Sequence, residues 1–502
     1  MSGGGRIGFD RALIGVAAVV VLGAIMSILD TTIVNVAIND LSRDFDTSLE
    51  TIQWVSTGYM LALATVIPLT GWAADRFGTK RLFMTSIALF MAGSILAGLA
   101  WSAESLIGFR ILQGLGGGMI MPAGMTMLTQ AAGPQRVGRV LSVIGVPMIL
   151  GPIAGPVLGG WLVDDVSWRW IFFINIPIGI VALAMAARIL PGDRPAPSER
   201  LDWLGLAVLS PGLAALVYGI AETSAEGGLN SARAVVPLVA GAILVVGFIA
   251  HAWRHEQPLI DVKLFTRRAV SSAAGTTALF GAALFGTSFL LPLYFQLVRG
   301  ESAMMAGLLV IPQGLGAALM MPIAGRITDR IGPGRVVLAG LAVVIVGQFG
   351  LTRIGYDTSY VLVSGILFLL GLGLGATMMP AMASAYQTLE RPQVARATSA
   401  LNIIQRVAGS IGTAILAIVL SDQLTSRLPG ASGKEGLGAA QGIPDDARER
   451  LAPVIGDAFA HTFWWSLALV ICAIGPALLL SRKKPEAPRP AEAPAATLAT
   501  ES

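Results

Sequence analysis

Two charged side chains inside apolar runs are the residues of this chain best placed to do chemistry. Asp30, in SILDTTIVNV (27–36), is the one charge between Leu13 and Ile38, and Arg110 opens RILQGLGGGMIMPAG. An ionised group at the centre of a bilayer costs about 2.5–3.5 kcal/mol on insertion scales, so an intramembrane acid is a functional hypothesis by default. An acid facing a central aqueous cavity takes a proton from one side of the membrane and releases it to the other. A cationic cargo would compete with that proton for the same carboxylate. Thr31, Asn35 and Asn39 recur at helical spacing as a polar stripe beside it. Arg110 shares a helix face with Gln113, Gly114 and Gly117. Its guanidinium keeps its charge and needs an anionic or carbonyl partner. Asp30 is a candidate, and a purely structural ion pair is the alternative. Arg406, in NIIQRVAGSIG, is a third intramembrane charge, for which a structural partner is favoured over a substrate role. No constellation suits a metal, a cofactor or enzymatic catalysis.

The elements that must position these residues are membrane helices. The 502 residues are 54% hydrophobic and 13% charged, with mean hydropathy +0.73. Soluble domains carry about 25% charged residues, so the class is an all-α polytopic membrane protein. Apolar runs place fourteen spans, near 13–38, 51–71, 83–101, 105–128, 139–162, 169–190, 202–221, 233–253, 269–297, 303–325, 335–353, 359–383, 398–420 and 460–481. On this count 23 of the 34 Lys and Arg fall on the side of both termini and 9 on the other, with Arg110 and Arg406 inside spans. The positive-inside rule then makes both termini cytoplasmic. The cations lie in short loops and form no basic domain, which excludes nucleic acid as a partner. The 421–459 segment reads as a long outer loop ending in a surface-lying amphipathic helix, and 485–502 as a disordered tail. Cys472 is the one cysteine, so no intrachain disulfide forms.

The chain also repeats itself. GWAADRFGTKR (71–81) and GRITDRIGPGR (325–335) share Gly71, Asp75, Arg76 and Gly78 with Gly325, Asp329, Arg330 and Gly332, at an offset of 254. IMPA (120–123) returns as MMPA (378–381), at an offset of 258. Two six-span halves, 1–200 and 257–484, are expected around an inserted pair at 201–256, with a site between the halves. Asp75 and Asp329 are expected to cap a helix or to pair with Arg76 and Arg330, latching the halves. In GPIAGPVLGG, Gly151, Gly155 and Gly159 recur at spacing four beside Pro152, Pro156 and Gly160. This is the pattern of a bent span in close helix contact. Met119, Met121, Met125 and Met127 are either packing or part of an adaptable apolar pocket.

Taken together, LDTTIVNVA, GWAADRFGTKR, RILQGLGGGMIMPA, VPMILGPIAGPVLGG and SWRWIFFINIPIG resemble the major facilitator superfamily, specifically its fourteen-span drug:proton antiporter branch. The resemblance implies proton coupling through Asp30 and Arg110. It also implies a glycine-proline span that favours exchange, and gating by the Gly71–Arg81 loop, with Lys80 and Arg81 among its residues. The second copy departs at Pro333-Gly334 where the first has Thr79-Lys80. The expectation is a monomeric bacterial inner-membrane exporter of amphipathic compounds, cationic or aromatic, driven by the proton motive force and contacting membrane lipid. Export of an endogenous lipid or secondary metabolite is the alternative. No G-x-x-x-x-G-K-[ST] loop supports nucleotide drive.

Overall fold

The computed structural model describes residues 11–34, 36–132, 136, 140, 151, 154–155, 158–163, 165–193, 200–225, 231–427 and 445–481. Asn35, Pro152, Pro156, residues 428–444 of the 421–459 loop and the 485–502 tail lie outside them. Helices α1 (Arg11–Ile33), α2 (Ile38–Asp44), α3 (Leu49–Val66), α4 (Leu69–Phe77), α5 (Thr79–Gly98), α6 (Ala103–Ala132), α7 (Trp170–Phe173) and α8 (Asn175–Ile189) come first. The inserted pair is α9 (Trp203–Ala225) and α10 (Ala232–Arg254). The second half holds α11 (Arg268–Leu297), α12 (Ala303–Leu309), α13 (Ile311–Ile331), α14 (Pro333–Leu351), α15 (Tyr360–Tyr386), α16 (Arg391–Arg427) and α17 (Asp445–Leu478).

Among the described residues twelve helices are long and apolar enough to cross a membrane. The α3–α4 pair, bent by 56°, makes a thirteenth if it is one span. Of the fourteen expected spans, the remaining one (139–162) falls mostly outside the described residues. Pro68 separates α3 from α4, where its missing N–H and fixed φ favour a break.

Two boundaries differ from expectation for local reasons. The repeated Gly-x-x-x-Asp-Arg segments are helical rather than loops: Gly71, Asp75 and Arg76 lie on α4, and Gly325, Asp329 and Arg330 on α13. Each helix ends one step later at a glycine in a region most side chains avoid, Gly78 at φ +90° and Gly332 at φ +88°. The expected surface helix before the last span is continuous with it in α17, which runs on through Pro453.

A single large apolar core runs through both halves, including all four methionines from Met119 to Met127. They are packing residues here. The inserted pair packs on itself, and α9 also lies against α3 of the first half and α16 of the second. Asp202 pins its base by accepting hydrogen bonds from the N–H groups of Gly205 (2.7 Å) and Leu259 (3.2 Å) and pairing with His251 Nε2 (3.0 Å). Burial opposes the charge on Asp202, but these three contacts outweigh it and hold its carboxyl below the usual range.

Candidate functional site

Asp30 and Arg110 meet. Asp30 lies on α1 and Arg110 on α6, 0% and 1% exposed. Arg110 donates through Nη1 to Asp30 Oδ2 at 2.6 Å and to Gln113 Oε1 at 2.7 Å, and through Nε to the Val55 carbonyl at 3.2 Å. Gln113 Nε2 donates to Asp30 Oδ1 at 2.8 Å. Asn175, at the start of α8, donates to Asp30 Oδ1 at 3.2 Å and to Ser94 Oγ on α5 at 3.1 Å, and Ser94 donates to the Phe172 carbonyl at 2.8 Å. The Tyr59 ring lies 4.2 Å from the guanidinium carbon and that of Phe172 at 5.7 Å. Both carboxylate oxygens are thus occupied by three donors from two helices, α6 and α8, the arrangement that makes a buried charge tolerable.

This differs from the expected picture of an acid facing an open cavity. In this conformation Asp30 is sealed, because Arg110, Gln113 and Asn175 take up its lone pairs. Thr31 turns its hydroxyl back to the Ile28 carbonyl at 2.7 Å instead of extending the site. The glycine-rich segment acts on the helix that carries Asp30. A Cβ at Gly151 would overlap Ile28 and one at Gly155 would overlap Thr32, while at Gly159 it would stand 3.2 Å from Ile33. Close backbone approach there sets the position of α1. Gly160 is half-buried with open space around its Cα.

A second group of predicted residues joins the two halves at one end. Asp75 Oδ2 lies 3.7 Å from Arg396 Nε on α16, and a Cβ at Gly71 would sit 3.3 Å from the Arg396 Cα. Asn402, also on α16, approaches Met125 Sδ at 4.0 Å. The partner of Asp75 is therefore across the halves and not the neighbouring Arg76, which is exposed. Asp193, unremarked in sequence, accepts from the N–H groups of Lys80 (2.8 Å) and Arg81 (3.0 Å) and so caps α5. Lys80 Nζ donates to the Ala187 and Leu190 carbonyls, both at 2.9 Å. In the second copy the Ser481 carbonyl accepts from the Gly334 N–H at 2.9 Å instead. There Gly325 is buried, Asp329 half-buried and Arg330 exposed.

The third predicted charge lies elsewhere. A cavity of about 420 Å³ opens between α3, α9 and α16, with Met60, Leu63, Val217, Phe285 and Ile403 among its apolar lining and Ser56, Thr57, Ser410 and Thr413 among its polar lining. Arg406 lines it and is exposed to it rather than buried. Asn175, Ser94, Tyr59, Asp193 and Arg396 were not singled out from sequence. For Asn175 a signal existed, a lone amide in the apolar stretch IFFINIPIG.

Duplicated helical halves, an ionic network buried at membrane depth and a cavity beside it define a polytopic membrane carrier. The model of the family described as Major Facilitator Superfamily matches residues 20–413, and the chain belongs to that superfamily. It is a polytopic cell-membrane protein. It is 42% identical over 494 residues to the multidrug resistance protein B homolog of Mycobacterium tuberculosis, covering 95% of this chain and 91% of that one. It is 32% identical over 408 residues to the multidrug export protein EmrB of Haemophilus influenzae, covering 80% of each. Over 462 residues it is 28% identical to the lincomycin resistance protein LmrB of Listeria monocytogenes, covering 92% and 96%. Among solved structures, the human organic anion transporter MFSD10 shares the fold at TM-score 0.59 and 16% identity, over 92% of this chain and all of that one. The proton:xylose symporter XylE does so at 0.57 and 12%, over 92% and 95%.

Proposed function

We propose that the protein is a non-enzymatic, proton-coupled antiporter that exports amphipathic drugs by alternating access. Export of drugs is supported by relatives named for multidrug resistance and multidrug export. The observation that carries proton coupling is the Asp30–Arg110 pair, fully buried and cross-linked to Gln113 and Asn175. Protonating Asp30 leaves the guanidinium, which cannot release its proton, as an uncompensated buried cation. Breaking a buried pair in this way is strongly unfavourable, so a proton reaching Asp30 forces Arg110, and with it α6, to find another arrangement. Coupling through the Arg110 side of the network is therefore favoured over direct competition of cargo for a carboxylate already held by three donors. The contacts of Arg396 with Gly71 and Asp75 close the end that we assign to the cytoplasm, and they must part for the opposite face to open. A proton falling through about 100 mV supplies about 2.3 kcal/mol to such a cycle.

The test is exchange in proteoliposomes with an imposed pH gradient, with ethidium and 1-pyrenebutyrate offered in turn as cargo. The wild type should accumulate at least one of the two against its gradient, and Asp30→Asn should only equilibrate it. Accumulation by Asp30→Asn equal to wild type would remove Asp30 from coupling.

A further inference from the structure

The cavity beside the ionic network contains a charge that no described residue neutralises. Arg406 sits mid-helix, fifteen residues from the start of α16 and twenty-one from its end. Among the described residues no carboxylate lies within ion-pair distance of it and no hydrogen bond is formed by it. Asp30 is occupied by Arg110. Glu222 follows the cavity-lining Ala221 on α9 but makes no ion pair with Arg406. An unpaired guanidinium at membrane depth is costly, and it persists at the wall of a cavity of about 420 Å³, within the usual range of ligand pockets.

We infer that this cavity binds an amphipathic anion, with its carboxylate, sulfonate or phosphate on Arg406 and its apolar body along Met60, Leu63, Val217 and Phe285. The planar guanidinium matches such groups with paired, charge-assisted hydrogen bonds. Ser56, Thr57, Ser410 and Thr413 are also in the lining and offer hydroxyls of either role. An organic cation would meet a like charge, with no carboxylate among the described lining residues to offset it. Because Leu213, Val217, Ile220 and Ala221 of α9 form one wall, the inserted helix pair is part of the binding site and not merely an addition to its rim. The site also communicates with the network. Tyr59 packs on Arg110, and its buried hydroxyl, with Ser27 beside it, lies within electrostatic reach of both Asp30 and Arg406. An anion on Arg406 changes the field at Tyr59 and hence at the Asp30–Arg110 pair.

This inference rests on the export reading for its use as a substrate site, although the site itself is testable by binding alone. The full-length protein in phosphatidylcholine nanodiscs is titrated with three probes that share one aromatic body: 1-pyrenebutyrate, 1-pyrenebutanol and a pyrenebutyl trimethylammonium. The butyrate should bind about tenfold more tightly than the alcohol, and the ammonium most weakly. Arg406→Gln should bring the butyrate to the level of the alcohol without changing the alcohol, and Arg406→Lys should keep part of the preference. Ala64→Trp, which fills the cavity and keeps the charge, should lose both probes and provides a test if Arg406→Gln does not fold. A butyrate-to-alcohol ratio unchanged in Arg406→Gln, or wild-type preference for the ammonium, would overturn the assignment. Repeating the titration in phosphatidylglycerol nanodiscs separates the sources of the anion. Competition identifies a lipid headgroup as occupant, and undiminished binding identifies a free solute. If pH-driven export fails while the Arg406-dependent preference survives, the transport reading falls and the site stands. If export succeeds and the preference is absent, the reverse holds.

Discussion

The two halves place different chemistry at matching positions. Asp30 on α1 corresponds to Thr287 on α11, 257 residues later, and Ser94 on α5 to Gln348 on α14, 254 residues later. In the second half Thr287 and Ser466 hydroxyls lie 2.7 Å apart, Gln348 Nε2 donates to Thr287 at 3.2 Å, and Ser466 donates to the Ala283 carbonyl at 3.3 Å. Ser466 on the last helix occupies the role that Asn175 has on α8. At the offset of 258, Arg110 and Gln113 correspond to Phe368 and Gly371. One scaffold thus holds a buried ionic network in the first half and a small neutral one in the second. The first joins α1, α5 and α8, and the second joins α11, α14 and α17 without any charge. Charge in the first half is therefore not required for packing, which is the strongest structural argument that it serves transport.

The comparison breaks most directly at the charged pair. Arg110→Ala or Asp30→Asn should lower pH-driven exchange about 100-fold or more, a change of about 2.7 kcal/mol. Thr287→Val, the matching change in the second half, should stay within about threefold. Equal losses, measured in the same proteoliposomes, would mean that both networks are merely structural. A double substitution sharpens the point. Asp30→Asn alone leaves Arg110 unpaired and should cost about 3–5 kcal/mol of stability. Asp30→Asn with Arg110→Gln gives the first half a neutral network like that of the second. Thermal unfolding should show most of the lost stability restored, while exchange stays absent.

A smaller effect is expected where the halves meet. The Asp75–Arg396 pair is partly exposed, so its removal should shift the closed state by about 0.2–1 kcal/mol. In a Cys472→Ser background, labelling of Met125→Cys by a maleimide should quicken a few-fold when Asp75→Asn is added. The smallest effect belongs to the inserted pair. The depressed carboxyl of Asp202 contributes stability that is present above its unfolded value of about 3.9 and lost as pH falls through the lower folded value. Asp202→Asn should therefore unfold at a lower temperature than wild type at neutral pH, with the gap closing below about pH 4.

Much of this was legible in the sequence because membranes enforce simple rules. Apolar runs marked the helices, and isolated charges marked the network. Gly151, Gly155 and Gly159 signalled a close helix contact, though not that the neighbour would be α1. What stayed hidden depends on three-dimensional pairing. Asp193 and Arg396 look like ordinary surface charges until the fold sets one at the start of α5 and the other on Asp75. The sealing of Asp30 was also hidden, since it takes donors 80, 83 and 145 residues distant in sequence. Arg406 was visible as an anomaly, but only the cavity beside it separates a ligand contact from a structural pair.

The central claim is that Asp30 changes its protonation as the carrier works. Proton release on ligand binding tests it most directly, using purified protein in weakly buffered detergent with a pH-indicating dye and, as ligand, the cargo that the proteoliposomes accumulate. The wild type should exchange protons with the medium on ligand addition, and Asp30→Asn, still binding, should exchange none. Equal proton exchange from both proteins would contradict the account.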